Sequence, residues 1–181
     1  MKRTINIELS KKSIEKAIEE LDAFQNDLIQ KCKAVVERLA EVGIETAEQN
    51  SPTFGRYITF TQQIETETKT GVRAVVLAID KQKITKQWLR YGEVVEATIS
   101  PILMEEFGSG FEAVNPHGVQ GVGQGSFPGQ THAFDEGGWW YMDTEGSWHH
   151  TEGQKPGMPM YAAKVRMSIA IARIVREVFN G

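Results

Sequence analysis

The sequence predicts long terminal helices around a strand-rich middle, on three observations. Apolar residues recur every three or four positions across 14–42, which is the period of an amphipathic helix. Two apolar and β-branched runs, 57–68 and 72–80, are separated by Thr70-Gly71, which is typical of an antiparallel hairpin. A second amphipathic pattern begins at Pro159 and continues to the C-terminus.

The N-terminal part of the chain predicts a short strand and then a long helix. Residues 4–9 alternate apolar and polar side chains, and Ser10 is a typical N-cap for the helical pattern behind it. A helix that continues to Asn50 is about 60 Å long at 1.5 Å per residue. Asn26-Asp27 offers an alternative, because these residues are able to cap a second helix. The wide apolar stripe favours packing on a sheet or on neighbouring subunits over a strict two-stranded coiled coil.

The middle of the chain predicts strands and one short helix. The long helix is expected to end at Asn50-Ser51-Pro52, because the residue before a proline is pushed out of helical geometry. After the hairpin, residues 94–99 favour a further strand. A short helix is expected from Pro101 to Phe107, and Gly108 ends it.

The composition changes abruptly after this short helix. Nine of the 31 residues from 108 to 138 are glycine, so this segment has too much backbone entropy and too little apolar content to order alone. We expect it to be mobile in the isolated subunit and ordered by a partner. The string GVGQGSFPG at 121–129 lacks the preceding strand and the following helix that a phosphate-binding loop needs.

An aromatic cluster follows the glycine-rich segment. Its members are Phe134, Trp139, Trp140, Tyr141 and Trp148. Two interpretations stay open, since such rings either cover the edge of a core or anchor a partner. Side chains alternate along an extended segment, so Trp139 and Tyr141 are expected on one face and Trp140 on the other.

The C-terminal helix carries one apolar side and one basic side. The apolar arc comprises Val165, Ser168, Ala172, Val175 and Phe179, with Ile171, Ile174 and Val178 beside it. Arg166, Arg173 and Arg176 fall on the opposite side, where they either face solvent or pair with acidic residues of the same or a neighbouring chain.

The charges of the chain are segregated. The net charge is −4, yet residues 91–153 hold ten acidic side chains and no Lys or Arg, whereas residues 154–181 hold five basic side chains and one acid. An acidic block repels a phosphate backbone, so it does not predict a nucleic-acid footprint. It is either a solvated region, or a surface that steers a basic partner or keeps passing DNA from sticking.

The composition excludes several classes of protein and site. The chain has 181 residues, of which 40% are hydrophobic and 24% charged, which is typical of a globular domain. Its longest apolar run, 74–79, is too short for a membrane span, and Asn6 and Glu8 interrupt the apolar region of a signal peptide. The single cysteine, Cys32, lies in the helical stripe and excludes an intramolecular disulfide framework.

A metal or hydrolase site is only weakly supported by the sequence. The four histidines are His117, His132, His149 and His150, accompanied by Asp135, Asp143, Glu145 and Glu152. Their spacing matches no helix or hairpin zinc pattern, and adjacent histidines point apart on a strand. No feature of the sequence names a reaction.

Four motifs in a fixed order carry a resemblance to a known family. They are EEFGSG at 105–110, GGWWYMD at 137–143, HTEGQKPGMPMYAA at 150–163 and IVREVF at 174–179. This order resembles the tail-component family of lambdoid and Gram-positive siphophages, whose members are called tail-completion, neck or head–tail joining proteins. The opening SKKSIEKAIEELDAFQNDL at 10–28 resembles that of Gram-positive phage and prophage members.

The resemblance extends to single residues. Phe107 and Gly108 match the EFG core of the family, and Ser109 stands where Thr or Ser is usual. Its G-x-x-P-x-x-P turn is matched by Gly153, Pro156 and Pro159, whereas Gly157 stands where Arg is often found.

This resemblance implies an α+β fold, in which a long N-terminal helix and a C-terminal helix pack on a small antiparallel β-sheet with a long Gly-rich loop. We expect a single domain over residues 1–181. Its expected parts are an N-terminal helical region (10–50), a sheet (55–107), a flexible loop (108–138), and an aromatic segment with the C-terminal helix (139–181).

The resemblance also implies a non-enzymatic virion component that forms a ring at the neck end of the tail and joins it to the head. The implied partners are other copies of the chain, the tail tube protein and the head-connector or neck proteins, with DNA only in passage. No cofactor, metal, membrane or sequence-specific nucleic acid is expected, and the implied location is the virion and, during assembly, the host cytoplasm. Another phage assembly or head-closure protein is the alternative, and a metal-dependent enzyme is a third hypothesis. The suspected contact residues are Phe107, Gly108, Phe111, Trp139, Trp140, Tyr141, Trp148, Arg166, Arg173 and Arg176.

Overall fold

The computed structural model describes residues 8, 10–67, 71–110, 112–118 and 137–180, with only the backbone given for 66, 67 and 139. It has the α+β fold expected from the sequence. The helices are α1 (Lys11–Gln49), α2 (Pro101–Phe107) and α3 (Pro159–Asn180). The strands are β1 (Ile58–Glu67), β2 (Gly71–Asp80), β3 (Ile84–Arg90), β4 (Glu93–Ile99), β5 (Ser109–Gly110), β6 (Trp139–Met142), β7 (Trp148–Thr151) and β8 (Gly153–Gln154). The strand expected at 4–9 lies, apart from Glu8, outside the described residues.

Helix α1 is continuous over 39 residues. It begins at the expected cap, where Ser10 Oγ accepts a hydrogen bond from the Ser13 amide at 3.3 Å. The helix passes through Asn26 and Asp27 without interruption, so the alternative of two helices is wrong. At 1.5 Å per residue it is about 58 Å long, whereas a compact domain of this size is about 40 Å across. One end of α1 therefore extends past the rest of the subunit.

Helices α1 and α3 pack antiparallel and form the main core. Gly157, just before α3, lies against Asn50, whereas Arg38 of α1 reaches Glu177 near the other end of α3. Between these contacts, the core contains Val35, Ala170 and Ile174 with Leu39, Val42, Val178 and Phe179 packed around them. Because α3 is shorter than α1, residues 11–30 of α1 extend beyond it, and we call them the overhang. From 18 to 30 no side chain of the overhang is buried.

Strands β1 and β2 form the expected antiparallel hairpin, with Ile58 opposite Asp80 and Glu67 opposite Gly71. This hairpin packs on α1. The end of β2 also fixes the start of α2, because Asp80 accepts hydrogen bonds from the Ser100 hydroxyl at 2.7 Å and the Ile102 amide at 3.0 Å.

A four-stranded antiparallel sheet, in the order β4-β3-β6-β7, holds the aromatic segment. Strand β3 is not predicted by the sequence analysis. It pairs with β4 along seven residues and meets β6 at Leu89 and Met142. No described side chain of this sheet is buried, so neither face packs in a core as one face of an antiparallel sheet usually does.

The third sheet corrects the predicted loop. Strand β5 lies at the beginning of the 108–138 segment and pairs with β8, with Ser109 opposite Gln154 and Gly110 opposite Gly153. Residues 108–110 are buried, so the expected mobile loop does not begin at 108. Residues 112–118 are also described, and there Ala113 is buried and the Val114 amide donates to the Phe107 oxygen at 2.8 Å. Residues 111 and 119–136 of the predicted loop lie outside the described residues.

Candidate functional site

Two of the motifs on which the sequence resemblance depends meet in space. The EEFGSG segment forms the end of α2 and all of β5, and the GQKPGMP segment forms β8 and the start of α3. The β5–β8 pairing joins them. We call the region where 105–110 contacts 153–161 the junction.

Glu105, through its backbone carbonyl, and Glu106, through its carboxylate, hold the start of α3. The backbone oxygen of Glu105 accepts hydrogen bonds from the amides of Gly157 at 2.8 Å and Met158 at 3.1 Å. The side chain of Glu106 accepts from Met160 at 2.7 Å and Tyr161 at 3.0 Å. Helix N-termini leave their first amides without an intrahelical partner, and a carboxylate there also interacts favourably with the helix dipole. Glu106 therefore caps α3 from 54 residues away in the sequence.

Three glycines allow these segments to approach closely. A Cβ on Gly108 would lie 2.4 Å from the Gln154 oxygen, and a Cβ on Gly153 would lie 2.1 Å from the Ser109 oxygen. Both residues also have positive φ angles, of 70° and 101°. At Gly157 a Cβ would lie 2.2 Å from the Asn50 oxygen, at the end of α1. The junction therefore requires glycine for contact, and not for mobility.

His117 completes the junction on one side. Its Nε2 contacts Glu106 Oε1, and its ring meets Phe107 and Tyr161 edge-on, at centroid distances of 5.9 Å. Phe107 is only 7% exposed and Gly108 is buried. Both predicted contact residues are therefore buried within the subunit: Gln154 of β8 and Pro156 lie against Gly108, and the His117 ring lies against Phe107. In the described subunit neither lies at an exposed surface.

The aromatic segment presents exposed rings on the four-stranded sheet. Trp140 is 64% exposed and Trp148 is 62% exposed. In β6 and β7, Trp140 pairs with His150, and Tyr141 pairs with His149 on the opposite face. The corresponding ring centroids are 4.9 Å and 5.3 Å apart. Trp140 and Trp148 therefore do not cover the core edge.

Two other predicted members of this region are not placed. The backbone of Trp139 lies in β6, and its side chain is outside the description. Phe111 and Phe134 lie outside the described residues.

Asp143 organises the turn between β6 and β7. Its carboxylate accepts hydrogen bonds from the amides of Glu145 at 2.9 Å and Ser147 at 2.8 Å, and it contacts His149 Nε2 at 2.8 Å. The hydrogen bond with His149 and then that with Ser147 lower the pKa of Asp143 below its ordinary value. These contacts fix the exposed turn next to Trp148.

Helix α3 packs through a different side from the one predicted. Its buried residues are Pro159, Ala163, Ala170 and Ile174. Of the predicted arc, Val165, Ser168, Ala172 and Val175 are exposed, whereas Phe179 packs against the core. Of the residues predicted beside the arc, Ile174 and Val178 also pack in the core, and Ile171 is exposed. The helix has two apolar sides, and the side with small residues at 163 and 170 packs on α1, because small side chains allow close contact.

All three predicted arginines of α3 are exposed. Arg173 forms an ion pair with Glu177 at 2.8 Å, and Glu177 also lies 3.9 Å from Arg38. Arg166 and Arg173 flank the exposed apolar side, and Arg176 lies on it at 100° per residue. The acidic block is smaller than its sequence suggests, because Glu105 and Glu106 are buried at the junction.

The described residues provide no evidence for a metal or a membrane. Among them, no group of three His, Cys, Asp or Glu side chains is placed to hold a metal ion. No described helix is long and apolar enough to cross a bilayer. His132 and Asp135, which belonged to the metal hypothesis, lie outside the described residues.

No protein-family model, curated protein or solved structure matches the chain. The sequence pattern gives no sign of the cap formed by Glu106 or of its contact with His117, because both junction carboxylates stand in the acidic block. An indirect signal was present, because Pro159 begins a helix that has no Ser, Thr, Asp or Asn at the preceding position, 158. Such a helix needs a capping group from elsewhere in the chain.

Proposed function

We propose that this chain is a non-enzymatic structural protein of a phage or prophage virion. It completes the neck end of the tail and joins the tail to the head as a ring, in contact with the tail tube protein and the head-connector proteins. It assembles in the host cytoplasm and remains in the virion.

One observation carries the proposal. The residues on which the family resemblance depends, Glu105–Gly110 and the turn from Gly153 to Pro159, contact each other at the junction. Motifs that match by chance have no reason to form one structural unit. Their roles are architectural, as a cap, a close approach of two strands and a helix start, which supports a structural protein.

The exposed apolar surface supports a subunit that works in an assembly. The overhang leaves Ile18 and Leu21 about half exposed, and the four-stranded sheet exposes Trp140 and Trp148. Tryptophans of this kind are frequent anchors at protein interfaces. We assign Trp140 and Trp148 to the contact with a neighbouring virion protein.

The remaining acidic residues fit a passage for DNA. Among the described residues of 91–153, carboxylates such as Glu93, Glu96 and Glu145 are exposed, with no Lys or Arg among them. A surface of this sign repels phosphate and lets a duplex slide past without binding.

The test is inactivation of the gene in the phage or induced prophage that carries it, with electron microscopy of the particles. We expect DNA-filled heads and finished tails that remain separate, and we expect a supplied wild-type copy to restore joining. A Trp148→Ala copy should fail to restore joining, whereas a copy changed at Tyr91, an exposed residue of the β3–β4 turn, should succeed. Normal joined particles without the gene would disprove the proposal. Heads that lose their DNA would instead assign the chain to head closure.

A further inference from the structure

The overhang of α1 exposes a regular apolar stripe. Ile14, Ile18, Leu21 and Leu28 are between 41% and 53% exposed, and Phe24 is 36% exposed. At 100° per residue they lie on the same side of α1 as Val35 and Leu39, which pack on α3 further along. Ala17, which lies on this side between Ile14 and Ile18, is only 5% exposed. Around it, the larger apolar side chains leave a helix-packing surface uncovered past the point where the chain's own α3 ends.

Helix α3 exposes a second apolar stripe, on the side opposite its buried residues Ala163, Ala170 and Ile174. We call it the outer face of α3, and its residues are Tyr161, Val165, Ile169, Ala172 and Val175. Tyr161, Val165 and Val175 are 38–41% exposed and Ile169 is 67% exposed. A groove of about 360 Å³ borders it, between the start of α3 and the end of α1.

The two stripes match in length and spacing. Counted from Ile14 as position 0, Ile18, Leu21 and Leu28 of the overhang lie at positions 4, 7 and 14. On α3, Tyr161, Val165 and Val175 lie at positions 0, 4 and 14, with Ser168 at 7. Each stripe is therefore about 21 Å long, and a spacing of four and three residues is the one with which two helices interlock.

The overhang and α3 have opposite net charge. Residues 11–30 contain five acidic side chains against Lys11, Lys12 and Lys16, and all three lysines lie before residue 17. Helix α3 contains Lys164, Arg166, Arg173 and Arg176 and one acid, Glu177. Contact between two overhangs would bring two net-negative segments together, whereas contact between an overhang and α3 joins a net-negative to a net-positive segment.

We propose that the outer face of α3 binds the overhang of a second copy of this chain. The two surfaces are different and lie on different sides of the subunit, so the contact is head-to-tail, and each bound copy leaves one overhang and one outer face free. Such contacts form a ring if the rotation closes and a filament if it does not. In its biological setting the contact would be the ring interface of the proposed function, and to that extent it rests on that proposal.

The experiment is sedimentation velocity of the full chain and of two variants, over a range of micromolar concentrations. Leu21→Lys places a positive charge in the overhang stripe, and Val165→Glu places a negative charge on the outer face of α3. Both residues are about half exposed, so circular dichroism should show a folded protein in each case. Ala23→Lys, on the opposite side of the overhang, and Val94→Glu, on the four-stranded sheet, are the matched controls.

We expect the wild-type chain and both controls to self-associate. Each of the two variants should reach the same degree of self-association only at a protein concentration at least about tenfold higher. A mixture of the two variants should form a heterodimer that grows no further, because only one intact overhang and one intact outer face remain between them. Self-association should also weaken as salt is raised.

Any one of three outcomes would disprove the interface. The first is a wild-type chain that stays monomeric, the second is a Val165→Glu variant that still assembles through paired overhangs, and the third is a mixture that gives no heterodimer. The interface and the function fail separately, because head-to-tail association does not depend on a phage. If the two variants form the expected heterodimer but a phage without the gene still joins heads to tails, the interface is supported and the proposed function is disproved.

Discussion

Removal of the Glu106 carboxylate should destabilise the subunit through the start of α3. In Glu106→Ala the amides of Met160 and Tyr161 lose their acceptor, and His117 loses its partner. Loss of an N-cap costs about 0.5–2 kcal/mol, and a hydrogen bond to a charged group contributes about 1.5–3 kcal/mol. The free energy of unfolding should fall by about 2–4 kcal/mol, because the start of α3 remains partly accessible to water.

For a chain of this length, 1 kcal/mol corresponds to about 2–4 °C in melting temperature. We therefore expect Glu106→Ala to melt at least about 4 °C below the wild type. Glu106→Gln keeps the shape of the side chain but turns an amide donor toward backbone donors, so it should also lower the melting temperature. The matched control is Glu112→Ala, at an exposed acid nearby, which should change stability by no more than about 0.5 kcal/mol.

Calorimetry gives the melting temperature, and hydrogen exchange at the Met160 and Tyr161 amides locates the effect. Both amides should exchange faster in Glu106→Gln than in the wild type, even where global stability remains high. If Glu106→Gln and Glu112→Ala melt together and the two amides keep their protection, Glu106 does not cap α3, and the reasoning about the junction is wrong.

Three further outcomes are expected. Gly153→Ala should destabilise the chain more than Gly92→Ala. Both glycines have positive φ angles, but a methyl group at 153 would also clash with the Ser109 oxygen. Equal melting temperatures of the two variants would contradict this. Trp140→Ala should change the free energy of unfolding by less than about 1 kcal/mol, because the ring is 64% exposed, and should nevertheless block joining; a loss of about 3–5 kcal/mol in denaturant titration would make Trp140 a core residue. The folded β6–β7 turn lowers the pKa of Asp143, so the ionised Asp143 carboxylate stabilises the fold at pH values above its ordinary pKa of 3.8, and this stabilisation is lost as the pH falls through the folded-state pKa. The amide chemical shifts of Glu145 and Ser147 should show this transition in the wild type and should not show it in Asp143→Asn.

Local signals in the sequence were sufficient for most of the helices and for the first hairpin. Ser10, Pro101 and Pro159 begin their helices where the sequence predicts, and Gly108 ends α2. Each of these positions is determined by the backbone preferences of a few neighbouring residues. The α+β class was predictable for the same reason.

Strand β3 and the junction depend on contacts between distant residues, which local patterns do not report. The alternation in 84–90 is interrupted by Lys86 and Gln87, because neither face of the four-stranded sheet is buried. Glu106 contacts residues 54 and 55 positions later, and an acidic residue in a charged block gives no sign of such a contact. The side of α3 that packs on α1 was also undecided, since both sides of the helix are apolar.

The β5–β8 pairing has a consequence for the length of the chain between its strands. It closes the segment from 111 to 152 at its base, so the ends of that segment stay together whatever its length. Loop-closure entropy grows only with the logarithm of length, at about 0.6 kcal/mol for each doubling. Extra residues inserted between Gly118 and Gly137 should therefore leave α3 capped and the α1–α3 core in place. A short peptide tag inserted there should lower the melting temperature by only a few degrees, which calorimetry of the tagged and untagged chains would measure.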